Sequence, residues 1–228
     1  MTLATASPTL WYTTRATGII ALVLLSLTMV LGILTAGRVR TRSWPAFAQA
    51  DLHKWVSLLA VVFLSIHVLS AVLDTYVHIG WWAVVVPFTS SYQPLWTGLG
   101  TVGLDLLAAV ALSSALRQRI SAHTWRAIHW AAYASWPVAM AHSLGEGTDG
   151  LKPWMEGLAA ACALAVLGAL AWRIGEHRAG RDRAERLGSL TRVAPHVVPT
   201  RPTPVPLSPT SGGTGRPAAS RILEKGRP

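Results

Sequence analysis

Cysteine is all but missing from this sequence: Cys162 stands alone inside an apolar run of a 228-residue chain. One thiol cannot make an internal disulfide, a Cys-x-x-Cys-His attachment site or a thiolate-held iron–sulfur cluster. Charge is the second shortage. Only 13% of the residues are charged against 51% hydrophobic, where a soluble domain carries about 25% charged residues. The deficit points to lipid. What charge there is lies unevenly, ten of the twenty Lys and Arg falling after residue 174. A nucleic-acid-binding protein would spread Lys and Arg over a folded face, so no nucleic-acid partner is expected. Serine-elbow, Walker-loop and zinc-helix motifs are missing too, which removes the common hydrolytic and transfer chemistries. No basic region precedes the first apolar stretch, so no cleavable signal peptide is expected.

Long apolar runs are what the chain does have. Five stretches, 10–36, 55–73, 95–116, 127–144 and 154–174, each approach the ~20 residues that cross a hydrocarbon core. The fourth is the weakest, being rich in Ala, Trp and His. Segment 79–88 is too short to span and reads as a short helix or loop at the membrane surface. The expected fold is therefore all-α and integral to the membrane, a five-helix transmembrane bundle. It divides into a 1–9 extension, a 10–174 membrane domain and a 175–228 tail.

Basic residues set the orientation. Arg38, Arg40, Arg42 and Lys54 flank the first connection, Arg117, Arg119 and Arg126 the third, and Arg173, Arg178, Arg181, Arg183 and Arg186 follow the fifth stretch. The second connection has no Lys or Arg, and the fourth sets Glu146 and Asp149 against Lys152. The N-terminus is thus expected outside and the C-terminus in the cytoplasm. Residues 175–190 read as an extension of the last helix into water. Beyond them, 192–228 is rich in Pro, Ser, Thr and Arg, cannot bury a core, and is expected to be disordered.

Four histidines lie inside the apolar runs. His53 and His67 are fourteen residues apart in the second, His129 and His142 thirteen apart in the fourth. Helix rise turns these spacings into roughly 21 and 20 Å, most of a ~30 Å core. Both segments run from inside to outside, so His53 meets His129 at the inner level and His67 meets His142 at the outer. Two neutral imidazoles at one depth on neighbouring helices suit a six-coordinate haem iron, and two such pairs make a two-haem wire. A histidine in an apolar helix often does no more than bond a neighbour, but four in matched pairs are harder to assign that way. Helical phase favours one pair: fourteen residues return to within about 40° of the starting face, whereas thirteen leave about 140°. Either Pro137 kinks the fourth helix or the two ligands reach around it from different sides.

These histidines, with the stretches AVLDTYVHIGWW, VVPFTSSYQPLW and WRAIHWAAYASWP, resemble the ferric reductase and NADPH oxidase transmembrane domain superfamily, in particular its small bacterial membrane proteins. The resemblance covers about residues 10–174. It implies two b haems, with His53, His67, His129 and His142 as axial ligands, inward-to-outward electron transfer, and a bacterial cytoplasmic membrane. The oxidases carry a cytoplasmic FAD and NADPH dehydrogenase domain after the last helix. Here 54 residues remain with no Gly-rich dinucleotide fingerprint, so no FAD or NAD(P) site is expected. The electron donor is then a separate flavoprotein or a membrane quinol, and the acceptor ferric iron, oxygen or an extracytoplasmic redox protein.

Other polar residues fit around that frame. Asp105 in the third stretch lies about as deep as His67, and Arg15 lies near the outer start of the first. They either form an ion pair, or Asp105 accepts an Nδ1 proton from an outer histidine while Arg15 meets a haem propionate. Arg126, one turn before His129, is a candidate for an inner propionate. His78, His123, His177 and His196 read as solvated, and the Trp residues chiefly as an interfacial belt, with Trp136 deep enough to pack on a macrocycle. Two other functions compete: a quinol-linked cytochrome b anchor, resembling the membrane subunit of the bacterial methionine sulfoxide reductase system, and a haem-free transporter or assembly factor with packing histidines.

Overall fold

The computed structural model describes residues 8–37, 46–74, 79–146 and 152–193. Within them lie six α-helices: α1 Pro8–Ala36, α2 Ala46–Leu73, α3 Pro94–Ala115, α4 Ala122–His129, α5 Ala131–Gly145 and α6 Pro153–Val193, with a 3-10 helix at Trp81–Val84 between α2 and α3. Contacts divide the chain into one unit, Met1–Ala184, and a second, Glu185–Pro228. Of the second, the helical stretch 185–193 is described. The disorder expected for 192–228 falls almost wholly outside the described residues, as do Arg38, Arg40, Arg42, His78 and His196.

Among the described residues four helices, Thr9–Ala36, Phe47–Leu73, Pro94–Ala115 and Pro153–Glu185, are long and apolar enough to cross a membrane. Backbone groups in lipid must be satisfied within the segment, which selects helices for such sequences. The hydroxyls inside them follow the same rule. Thr17 bonds the carbonyl of Thr13, Ser26 that of Leu22 and Thr35 that of Leu31. The large side chains that remain exposed, among them Leu27, Leu58, Val62, Leu69, Leu164 and Leu167, are apolar, as a lipid-facing surface requires.

The first unit is built around α1, which packs along α2 and also touches α5, while α3 packs on α5. Antiparallel neighbours thus form two pairs, α1 with α2 and α3 with α5. The last helix buries Met155, Ala159, Cys162 and Val166, one stripe at helical spacing. At one end of α6, Trp154 and Met155 share a cavity with Trp11 and Thr14 of α1. Further along, Arg173 donates to the Ile33 carbonyl at 3.3 Å. The two helices therefore run in the same direction.

Two connections depart from the expected pattern. The fourth apolar stretch is not one continuous helix: α4 ends at His129, Trp130 makes a turn, and α5 resumes at Ala131. The turn is tightened by a hydrogen bond from Tyr133 N–H to the Trp130 carbonyl, three residues back. Segment 79–88 does more than lie at a surface. Its Ala83 is buried and its carbonyl accepts the Thr101 hydroxyl of α3 at 2.6 Å, while the Phe88 ring rests on Gly98. Phe88 has a left-handed backbone (φ 65°), so the chain reverses toward α3 at a strained residue.

Midway along the bundle, Trp136 of α5 donates its indole N–H to the Ser26 hydroxyl of α1 at 2.9 Å. Ser26 is buried. Ser26→Ala leaves that N–H without an acceptor in an apolar layer, and the expected cost is about 0.6–1.7 kcal/mol. A thermal unfolding series in detergent should show a lowered midpoint for Ser26→Ala, with Trp136→Phe less affected because the unpaired indole donor is then gone.

Candidate functional site

The two histidine pairs meet. The ring centroids of His53 and His129 are 6.4 Å apart and those of His67 and His142 6.3 Å, with interplanar angles of 68° and 73°. The depth pairing read from the spacing is thus the one the helices adopt. A turn residue, Trp130, stands directly after His129 in the fourth stretch, and Pro137 lies inside α5.

What aims each ring is a backbone carbonyl. His67 Nδ1 lies 2.8 Å from the Thr14 carbonyl, His53 Nδ1 3.1 Å from that of Thr28, and His142 Nδ1 2.9 Å from that of Trp96. A carbonyl only accepts, so each Nδ1 carries the proton and donates it. Each Nε2 is left with a free lone pair, the tautomer that binds metal. Of the two roles expected for Asp105, an ion pair with Arg15 or acceptor of an outer histidine's proton, the second is corrected by the structure. Asp105 lies exposed on α3, and carbonyls of Thr14 and Trp96 take both outer protons.

Four residues after each of these carbonyls stands a glycine. A Cβ on Gly18 would fall 2.9 Å from the His67 ring, on Gly32 3.3 Å from His53 and on Gly100 2.7 Å from His142. In a helix the carbonyl of residue i already accepts the N–H of residue i+4. Its second lone pair is open to an imidazole only where the side chain at i+4 does not cover it. Spacing of the histidines alone does not find these glycines, although a signal is present: Gly18 and Gly32 in α1 repeat the fourteen-residue spacing of His53 and His67 in α2.

At the His67–His142 site the rings open on a cavity of about 300 Å³, at the lower end of the range for ligand pockets. Arg15 lines it, its guanidinium 4.3 Å above the Trp11 ring. Asp74 and Glu146 line it as well. Glu146 accepts the Thr97 hydroxyl at 2.9 Å, and burial pushes its carboxyl above the usual range while that bond pulls the other way. Arg126 sits exposed in the last turn of α4. His123 and His177 are exposed, as read from the sequence.

The donor set decides what could be held. Among the described residues, no three His, Cys, Asp or Glu side chains converge on one point. Each site offers two imidazoles, so an iron there must bring its remaining donors with it, as a porphyrin does. Two imidazoles bound trans to one metal, with bonds of roughly 2 Å, place their ring centroids about 6 Å apart. Both pairs fit that separation. His53, His67, His129 and His142 could hold haem iron in this geometry, with Arg15 lining the cavity at one pair and Arg126 on the same short helix as His129 at the other.

The family described as ferric reductase like transmembrane component matches residues 17–140, which takes in three of the four histidines and all three glycines. His142 lies two residues past the matched region. No curated protein and no solved structure matches the chain.

The glycines provide a direct check. Gly18→Val and Gly100→Val should each displace a ring of the His67–His142 pair, and Gly32→Val the His53 ring of the other, because a side chain there occupies the imidazole's place. Gly157, where an added Cβ would meet nothing within 4 Å, is the control. Haem bound by the purified protein should fall in the first three variants relative to the unsubstituted chain and stay unchanged in Gly157→Val.

Proposed function

The chain belongs to the ferric reductase-like transmembrane component family, and from that membership we propose that it is a cytochrome b that carries electrons across a cell membrane through two bis-histidine haems. The observation that carries the proposal is the near-identical separation of the two histidine pairs, 6.4 and 6.3 Å. Haem, when bound, supplies each site with a one-electron carrier. The protein's part is to fix four imidazoles as neutral Nε2 donors, to surround them with apolar helices, and to place cations where propionates emerge. Arg15 and Arg126 have that last role.

Five crossings follow if α4 and α5 count as one broken span. The direction of electron flow rests on charge. Lys54, Arg117, Arg119, Arg126 and Arg173 gather toward the His53–His129 end, whereas Asp74, Glu146 and Glu156 accompany Arg15 and Lys152 toward the other. By the positive-inside rule the His53–His129 site faces the cytoplasm, with the N-terminus outside and the basic tail from residue 175 inside. Electrons enter from a separate cytoplasmic flavoprotein or a membrane quinol and leave toward ferric iron or an extracytoplasmic redox protein. The membrane domain is 10–174.

The purified protein should contain close to two b haems per chain, extractable by acid-acetone because no thioether is available. His67→Ala and His142→Ala should remove one haem, His53→Ala and His129→Ala the other. Crossed imidazole planes should give both ferric haems strongly anisotropic low-spin EPR signals. Losses grouped as His53 with His67 would defeat the pairing by depth, and a chain without haem would defeat the whole reading.

NADH or NADPH alone should leave the haems oxidised, since no segment of the chain has the length or composition of a dinucleotide-binding unit. Dithionite should reduce both haems, and a flavoprotein reductase or a reduced quinol should do so at a physiological rate. Rapid reduction by NADPH in a pure sample would mean that a flavin site exists on this chain.

A further inference from the structure

Three of the four histidines share one mode of support, and His129 does not. Its Nδ1 is buried and, among the described residues, has no hydrogen-bond partner. The spacing along α3 offers it no glycine. Fourteen residues on from Trp96 and Gly100 stand Val110 and Ser114, so the glycine that opens a carbonyl to an imidazole is replaced by a residue with a side chain. The Val110 carbonyl takes the Ser113 hydroxyl instead, at 3.0 Å.

In place of a carbonyl, His129 has an aromatic neighbour. The Trp125 indole, one helical turn earlier, stacks on the imidazole with ring centroids 4.8 Å apart and an interplanar angle of 26°. Above that indole lies the Arg117 guanidinium, 4.5 Å from the ring centroid. Arg117 belongs to the turn after α3, so the stack also ties the α3 end to α4.

We propose that the Arg117–Trp125 stack is the positioning device of His129, and that it makes the His53–His129 haem easier to reduce than a haem held by two carbonyl-bonded imidazoles. This rests on the two-haem reading above. An Nδ1–H···O=C bond pushes electron density toward Nε2 and favours ferric iron. His129 lacks that push, and the guanidinium adds a nearby positive charge that also favours the reduced state. Stacking holds the ring plane that the hydrogen bond holds elsewhere. Both effects act on one haem and leave the other alone.

The test is a redox titration with EPR on the full-length chain purified in detergent, using His53→Ala to assign the signals of that haem. Arg117→Gln should lower its midpoint on the order of threefold in the reduction equilibrium, tenfold being about 59 mV for a one-electron couple. The His67–His142 haem should not move. Trp125→Ala should release His129, giving a high-spin fraction and carbon monoxide binding in the reduced state, whereas Trp125→Phe should retain low-spin ligation. If Trp125→Ala does not accumulate, Arg117→Gln decides the matter, because Arg117 is exposed and its loss removes no buried packing. A haem-loaded chain whose His53–His129 midpoint is unmoved by Arg117→Gln overturns this proposal alone. A wild-type chain without haem overturns the two-haem reading, and this proposal with it.

Discussion

The hydrogen bond from an imidazole Nδ1–H to a helix carbonyl is the interaction on which the rest of the site depends. In an apolar layer an unpaired N–H is costly, and a charged imidazolium more so. A carbonyl acceptor answers the first, and burial among apolar helices the second. The carbonyl satisfies the N–H, fixes which ring nitrogen carries the proton and turns the remaining lone pair toward the partner helix. The carbonyl must be reached through the wall of an intact helix, which is why Gly18, Gly32 and Gly100 matter as much as the histidines they face. Each glycine costs helix propensity and contributes no packing of its own. Its value is the space that it leaves.

The same arrangement explains how two helix pairs divide the work. In α1 and α2 the docking geometry occurs twice, fourteen residues apart on both helices, so one antiparallel contact aims two imidazoles at once. In α3 and α5 it occurs once, at His142. There the second histidine, His129, lies on the other side of the turn at Trp130, on a helix of eight residues. In α2 the fourteen-residue spacing keeps both histidines near one face of a single helix, whereas the fourth stretch divides its two between α4 and α5. Trp136, bonded to Ser26 between the two levels, ties α5 to α1.

Much of this is legible in the sequence, and the boundary has a physical origin. The four long spans follow from hydropathy and length, a one-dimensional property, whereas the fourth stretch, expected as one helix, is divided into α4 and α5. The depth pairing of His53 with His129 and His67 with His142 follows from helix rise and chain direction, again one-dimensional. The turn at Trp130 does not, since no glycine marks it and Pro137 lies seven residues further on. Asp105 misleads for a related reason: depth places it level with His67, but rotation about the helix axis turns it outward. A carboxylate also looks a better acceptor than a carbonyl until the glycine beside the carbonyl is noticed.

Rotation about the axis is thus the quantity a spacing argument handles worst, and the glycines are where it can be recovered. A histidine that docks on a neighbouring helix leaves a mark on that neighbour: a residue without a side chain, one turn past the acceptor. Two such marks in α1, spaced like the two histidines of α2, fix the facing surfaces of both helices without any coordinates. By the same reasoning the absence of the mark carries information. On α3 the spacing from Gly100 leads to Ser114, so the fourth histidine must be held by something other than its neighbour's backbone. Its own helix supplies the substitute one turn earlier, in Trp125. For three of the four imidazoles, orientation is set by what the opposing helix leaves bare.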